Sequence, residues 1–295
     1  DVNTNGGMPY YILANGDPNY VARAGDTLNY AVSYVNGTDI PLRDVIIRSQ
    51  LVGEMFDTSA LQLQAALGGG QGFFRQSDNM IIWNSQNTPN LALLAPGSAG
   101  IVTFYVKTKN NYPIRRFSDK NFILYINGEI ESPTPVNSDS LERFFTKVRL
   151  ETRVAGNLAV DAKAYFRDAE SGILNQGLIP PKVGEKTNFT IHWQIKNFGS
   201  DVSNIEVRGK LGNNVRMVGE PKSNSGSLPR LETINNEVVW NIDKIQANQG
   251  VISNPTEAVF QIEAIPEVGQ VGGYMPLIGP TMIRANDDFT GQELL

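Results

Sequence analysis

Four short blocks of alternating apolar residues occur twice in this chain, in the same order and at nearly constant separation. Gly25-Asp26-Thr27-Leu28-Asn29-Tyr30-Ala31-Val32-Ser33-Tyr34 matches Gly184-Glu185-Lys186-Thr187-Asn188-Phe189-Thr190-Ile191-His192-Trp193. Val45-Ile46-Ile47-Arg48-Ser49-Gln50-Leu51 matches Ile205-Glu206-Val207-Arg208-Gly209-Lys210-Leu211, after a one-residue insertion. Ile81-Ile82-Trp83-Asn84 matches Val238-Val239-Trp240-Asn241, and Val102-Thr103-Phe104-Tyr105-Val106 matches Ala258-Val259-Phe260-Gln261-Ile262. A single such match is weak. Four in register are the mark of one fold present twice, each copy filling its own core.

The period within the blocks is two, that of a strand with one face buried. Leu28, Tyr30, Val32 and Tyr34 share one face, and Thr27, Asn29, Ala31 and Ser33 the other. Phe189, Ile191, Trp193 and Ile195 alternate with Asn188, Thr190, His192 and Gln194. Gly, Pro and Asn-Gly signals interrupt these runs at the spacing of antiparallel sandwiches. The expected inward set includes Tyr30, Val32, Ile47, Phe104, Phe189, Ile191, Val207, Val239 and Phe260. Helical pattern is scarce. Thr58–Leu67, rich in Ala, Leu and Gln and ended by Gly68-Gly69-Gly70, is the best candidate, and Ser138–Phe145 a weaker one.

The chain has 295 residues, which suits two domains. The stretch from Glu131 to Asp139, with Pro133 and Pro135, reads as a linker. A cut near residue 145 follows, giving domains 1–145 and 146–295, the first with an inserted loop or helix near 52–79. Strands over Thr146–Val154 and Leu158–Phe166 flank the turn Ala155-Gly156-Asn157. A strand leading from one sandwich into the next implies a semi-rigid rod. The expected fold class is all-β: two tandem antiparallel sandwiches.

Composition removes several function classes. A net charge of −5 argues against nucleic-acid binding, which needs a basic stripe. One His and no Cys exclude thiol chemistry, disulfides and imidazole clusters. No stretch approaches the roughly 20 apolar residues that span a bilayer, so no membrane contact is expected within this segment. The start, Asp1-Val2-Asn3-Thr4-Asn5-Gly6-Gly7, is polar and has no signal-peptide pattern. With loops rich in Asn, Thr, Ser and Gly, this favours an extracellular piece of a longer or processed chain.

The pattern Gly-Asp/Glu-x-x-Asn-Tyr/Phe-x-Val/Ile-x-Tyr/Trp, followed by an Asn (here Asn36 and Asn197), resembles the immunoglobulin-like tandem repeats of large bacterial and archaeal cell-surface proteins. The second copy, from Pro180-Pro181-Lys182-Val183 through Val239-Trp240-Asn241-Ile242 to Pro276-Leu277-Ile278-Gly279 and Asp287-Asp288-Phe289-Thr290-Gly291, is similar to predicted surface proteins of uncultured small-genome bacteria. The first copy departs through its extra Thr58–Gly72 segment and lacks the Pro-Pro pair. The resemblance implies immunoglobulin-like sandwiches on a cell exterior and no catalytic residue.

Residues able to carry chemistry are few. His192 sits on the polar face of its strand and is expected to face solvent. A lone His acts as a base only with an oriented partner, and no nucleophile motif accompanies it. Among scattered carboxylates, Asp287 and Asp288 are the candidate calcium ligands, since calcium takes clustered oxygens, although no Asp-x-Asp-x-Asp-Gly loop is present. Gly68-Gly69-Gly70-Gln71-Gly72 lacks the Gly-Lys-Ser/Thr ending of a phosphate loop. Trp83 and Trp240, at matched positions, suit a structural role better than a sugar platform. Asn36-Gly37-Thr38 and Asn188-Phe189-Thr190 fit the glycan acceptor pattern, Asn36 in an expected loop being the better placed. A Lys163–Asn286 isopeptide bond is the remaining cysteine-free staple.

These observations point to a non-catalytic structural segment of a cell-surface protein: a stalk, surface-layer lattice or filament unit. No cofactor beyond calcium is expected. Its partners would be copies of itself or neighbouring surface domains. The alternative is an adhesin that recognises a glycan or partner protein through loops such as 52–79 and 219–236.

Overall fold

The computed structural model describes residues 2–3, 8–66, 69–135 and 143–295. The chain forms two compact units: Asp1–Pro113 with Phe122–Ala155, and Ile114–Asn121 with Gly156–Leu295. The strands of the first are β1 (Val2–Asn3), β2 (Tyr10–Ala14), β3 (Thr27–Val35), β4 (Leu42–Arg43), β5 (Ile46–Val52), β6 (Phe56–Leu63), β7 (Phe73–Arg75), β8 (Met80–Trp83), β9 (Leu93–Leu94), β10 (Ala99–Thr108), β11 (Ile123–Pro135) and β12 (Arg143–Arg153). Those of the second are β13 (Asn157–Tyr165), β14 (Thr187–Phe198), β15 (Val202–Lys210), β16 (Val215–Ser223), β17 (Arg230–Glu232), β18 (Glu237–Ile245), β19 (Thr256–Ala264), β20 (Met282–Asp287) and β21 (Glu293–Leu294).

In the first unit a sheet ordered β1-β12-β11-β5-β8-β7 accompanies one ordered β2-β3-β10-β6, with β4 and β9 as a small pair. In the second, β13-β14-β19-β16 accompanies β17-β18-β15-β20-β21. The ladders joining these strands are antiparallel. The expected all-β class therefore holds, with alternation as its cause. In β3 the buried residues are Leu28, Tyr30, Val32 and Tyr34, and in β10 they include Val102, Phe104 and Val106.

Each unit closes its own apolar core between sheets. In the first, Phe104 of β10 stacks on Tyr30 with centroids 5.1 Å apart and lies 6.1 Å from Trp83 of β8 in the other sheet. Gly128 of β11 carries no side chain because Tyr10 and Ile12 of β2 stand over it; a Cβ would come within 2.7 Å of the Tyr10 hydroxyl. In the second, Trp193 of β14 meets Phe260 edge-on at 5.0 Å. The Trp193 ring also approaches Gly209 of β15, where a Cβ would lie 2.9 Å from it.

The repeat survives as geometry, with one adjustment. Ile47 pairs with Trp83 and Val207 with Trp240, so the second and third blocks keep their register. Tyr30 pairs with Phe104, but it is Ile191, not Phe189, that pairs with Phe260. The first block has thus slid by two residues against the fourth. A slide of two preserves which face is buried. Phe189 consequently pairs with Ile262 near the strand's end and is only half-buried, the one member of the expected inward set that is not buried.

Several expectations are corrected. Thr58–Leu67 is no helix: through Leu63 it belongs to β6, because hydrogen bonding to β10 outweighs the helical preference of its Ala and Leu; Leu67 lies outside the described residues. Of the weaker candidate, 143–145 open β12 and 138–142 lie outside the described residues. The linker-like stretch begins as the end of β11, where the Ser132 hydroxyl donates to the Arg43 carbonyl at 2.7 Å; 136–139 lie outside the described residues. Residue 145 falls inside β12, which pairs with β11 along its length, so the two units divide later, between Ala155 and Gly156. Residues 114–121 group with the second unit through bonds such as Asn121 N–H to the Gly199 carbonyl, 2.7 Å, and Asn248 Nδ2 to the Asp119 carbonyl, 2.8 Å.

Candidate functional site

The one histidine does not face solvent. His192 is on the outer face of the β14–β19 pair, yet it is 6% exposed, because the loop after β13 folds over it. Its Nε2 lies 2.8 Å from Asp168 Oδ2 in that loop, and its Nδ1 lies 2.8 Å from Glu257 Oε1 on β19. Gln194 Nε2 donates to the same Glu257 oxygen at 2.9 Å, and the Tyr165 ring meets the imidazole edge-on at 5.1 Å. Asp168 Oδ1 accepts the Ser171 N–H at 3.3 Å, and the Lys222 ammonium donates to the Ser171 carbonyl, which holds the covering loop down.

The electrostatics follow from this clamp. Burial opposes the charged ring, but hydrogen bonds to Asp168 and Glu257 outweigh it, and the His192 pKa is raised. Burial likewise opposes the Asp168 carboxylate, while bonds from Ser171 and His192 prevail and lower its pKa. With a carboxylate oxygen at each ring nitrogen, the arrangement selects the imidazolium, in which both nitrogens donate. While it carries that proton, the ring has no lone pair to accept another. A cavity of about 220 Å³ borders it, lined by Glu170, Lys222, Asn224 and Val259 among others. The nearby hydroxyls are committed: Ser171 Oγ accepts the Ile173 N–H and Ser223 Oγ lies 2.9 Å from Ser225 Oγ. The cluster ties a loop to a sheet.

The other sequence-derived candidates are similarly engaged. Asp287, 1% exposed, accepts the N–H groups of Gly156 at 2.7 Å, Phe289 at 2.8 Å and Thr290 at 3.2 Å. Asp288 turns elsewhere, to the Ser203 hydroxyl at 2.6 Å and the Lys244 ammonium at 3.1 Å. The two carboxylates do not converge, and among the described residues no group of three or more His, Asp or Glu side chains is placed to hold a metal ion. Asn36 lies in the loop after β3, as expected, but is fully buried there. Its Nδ2 donates to the carbonyls of Ile40 at 2.9 Å and Leu94 at 2.8 Å, and its Oδ1 accepts from Thr38. In the second unit the Asn197 Nδ2 likewise donates to the carbonyls of Ser200 at 2.7 Å and Gln246 at 3.0 Å. Asn188 is within β14. Trp83 and Trp240 are both fully buried. Lys163, on β13, pairs with Asp161 at 2.7 Å, while Asn286 is on β20 in the other sheet.

No pattern in the sequence marks a second cavity. A cavity of about 620 Å³ opens at the end of β14 and β19, lined by Pro180, Pro181, Val183, Phe189, Pro266 and Tyr274 among others. Tyr274 is 96% exposed at its edge. The cavity lies outside the expected binding loops 52–79 and 219–236.

No family model matches the chain, and no curated protein matches it. Among solved structures, it is similar to the C-terminal domain of the Streptococcus pyogenes antigen I/II-family protein AspA, at 9% identity and a TM-score of 0.42, over 98% of each chain. It is also similar to the C-terminal domain of the Streptococcus agalactiae antigen I/II polypeptide BspA, at 8% identity and a TM-score of 0.36, over 97% of this chain and 98% of that one. A third likeness, at 11% identity and a TM-score of 0.33 over 51% of this chain and 89% of the other, is to AvmM, which catalyses macrocyclization in alchivemycin A biosynthesis.

Proposed function

We propose that this chain is a non-catalytic structural segment of a larger protein displayed outside the cell, built from two sandwiches of the immunoglobulin-like kind and acting by joining neighbouring domains or copies. The observation that carries this reading is the placement of His192 between two carboxylates. General base chemistry needs a ring nitrogen free to accept a proton, and here both face carboxylate oxygens. The buried Asn36, Asn197 and Asp287 serve the backbone in the same way. Protease treatment of intact producing cells tests the location. Release of fragments of this chain without lysis is the expected result, and full protection until lysis would overturn it. A hydrolase screen of the purified chain tests the chemistry. Turnover abolished by His192→Ala, in a variant that remains folded, would sink the non-catalytic reading.

A binding role, for a glycan or a partner protein, is favoured by the cavity beside Phe189, whose size and apolar lining fall in the range of ligand pockets. A glycan array and a pull-down with the wild-type chain and with Tyr274→Ala test it. Capture lost in the variant supports an adhesin, and equal capture by both, or none, counts against this cavity as the binding site.

A further inference from the structure

Among the described residues, β13 and β16 are the longest strands at a sheet edge, nine residues each. The two differ in regularity. The pairing of β16 with β19 is broken between Val218 and Lys222, whereas β13 runs against β14 from Asn157 to Tyr165 without a shift. Its other side pairs with no strand of the described residues. From Asp161 to Tyr165 every residue is exposed. Such an edge presents a row of backbone N–H and C=O groups to another strand, ending at the Tyr165 carbonyl, which accepts from Asn175 Nδ2 at 3.2 Å.

The side chains specify which strand. Asp161 and Lys163 share one face with Tyr165, and the small Ala162 and Ala164 occupy the other. When a second copy of β13 lies antiparallel with Ala162 opposite Ala162, Asp161 of each chain faces Lys163 of the other. Sliding the centre to Asp161 sets two carboxylates face to face, and sliding it to Lys163 sets two ammoniums face to face. Like charges directly opposite are destabilising and unlike charges stabilising. A charged edge usually deters pairing. Here the deterrent applies to the neighbouring registers and is reversed in one. In the single chain Lys163 Nζ rests 2.7 Å from Asp161 Oδ2, both side chains 53% exposed, so both are free to re-pair at little cost.

We propose that β13 is a self-recognition edge: two copies of this chain join through it, antiparallel and centred on Ala162, to continue the β13-β14-β19-β16 sheet into its counterpart. The inference rests on the part of the reading above in which copies join, and stands independently of the proposed location.

The test uses the full chain. In sedimentation, the wild type is expected to pass from monomer to dimer as concentration rises. Asp161→Lys and Lys163→Asp each replace two attractive pairs with two repulsive ones and are expected to weaken the dimer roughly tenfold or more. The double variant Asp161→Lys with Lys163→Asp restores the pattern and is expected to dimerise like the wild type. Because the chain has no cysteine, Ala162→Cys provides a reading of register: under mild oxidation it is expected to form a disulfide-linked dimer, faster than Ala164→Cys, which does not meet its own copy. A wild type that stays monomeric up to about 1 mM would overturn the proposal. So would a dimer indifferent to the single reversals, a double variant as weak as the singles, or cross-linking of Ala162→Cys no faster than that of Ala164→Cys.

Discussion

Asp287 Oδ2 accepts the backbone N–H of Gly156 at 2.7 Å, joining the last residue of β20 to the residue at which the main run of the second unit begins. Its other oxygen takes the N–H groups of Phe289 and Thr290. A buried carboxylate with several backbone donors is a structural tie: the bonds are charge-assisted and their loss strands the donors.

Asp287→Ala is therefore expected to lower the unfolding free energy by about 2–3 kcal/mol. The loss should be the same with and without calcium. Thermal unfolding in both conditions checks it, and a midpoint raised by calcium in the wild type but not in the variant would instead make Asp287 a metal ligand.

Stability should depend on pH through His192. Its folded pKa is raised above the ordinary value of about 6.5, so the contribution is complete below that pH and fades as pH rises through the folded value. Asp168 acts in the opposite sense: its folded pKa is depressed, so its contribution is complete above about 3.9 and fades as pH falls through the folded value. His192→Ala should differ most from the wild type near about pH 5 and progressively less toward about pH 9. Denaturant unfolding across that range checks it; a difference that grows with pH would refute the clamp.

Phe104→Ala and Phe260→Ala should each cost about 3–5 kcal/mol, because both rings are fully buried against aromatic neighbours. Phe189→Ala, half-buried at the mouth of the larger cavity, should cost about 1–2 kcal/mol. Equal losses at Phe189 and Phe260 in chemical denaturation would contradict the two-residue slide in β14.

Asn36 should remain unmodified when the chain is made in a host that glycosylates Asn-x-Thr sites, since its amide is buried and bonded on both sides. Peptide mass spectrometry reads this directly. Asn36→Ala should instead destabilise by about 1–3 kcal/mol by leaving the Ile40 and Leu94 carbonyls without their donor.

The fold was legible wherever a residue's environment is set by its own strand. Alternation placed Tyr30, Val32, Phe104, Ile191, Val207 and Phe260 inside, and all are buried. It failed where a distant segment decides. His192 looks solvent-facing by period, and only the return of Asp168 from the loop after β13 buries it. Residues 58–63 have helix-forming side chains, but β10 supplies the partner that makes them a strand. Asn36 is in a loop, as its place between a strand and a Gly predicts, but the sequence does not show that the Leu94 carbonyl will take its amide and bury it. The larger cavity draws on 180–183 and 266–277, two irregular stretches whose meeting no local pattern announces.

The two-residue slide between β3 and β14 sets a rule for how the two halves are able to diverge. A displacement by an even number leaves oil and water on their proper sides, and the strand trades one set of neighbours for another of the same kind. A displacement by an odd number turns Ile191 and Trp193 outward and brings His192 and Gln194 into the core. Insertions and deletions within these strands are thus filtered by parity. A single-residue deletion in β14 should be far more damaging than removal of two, although it changes the chain by less.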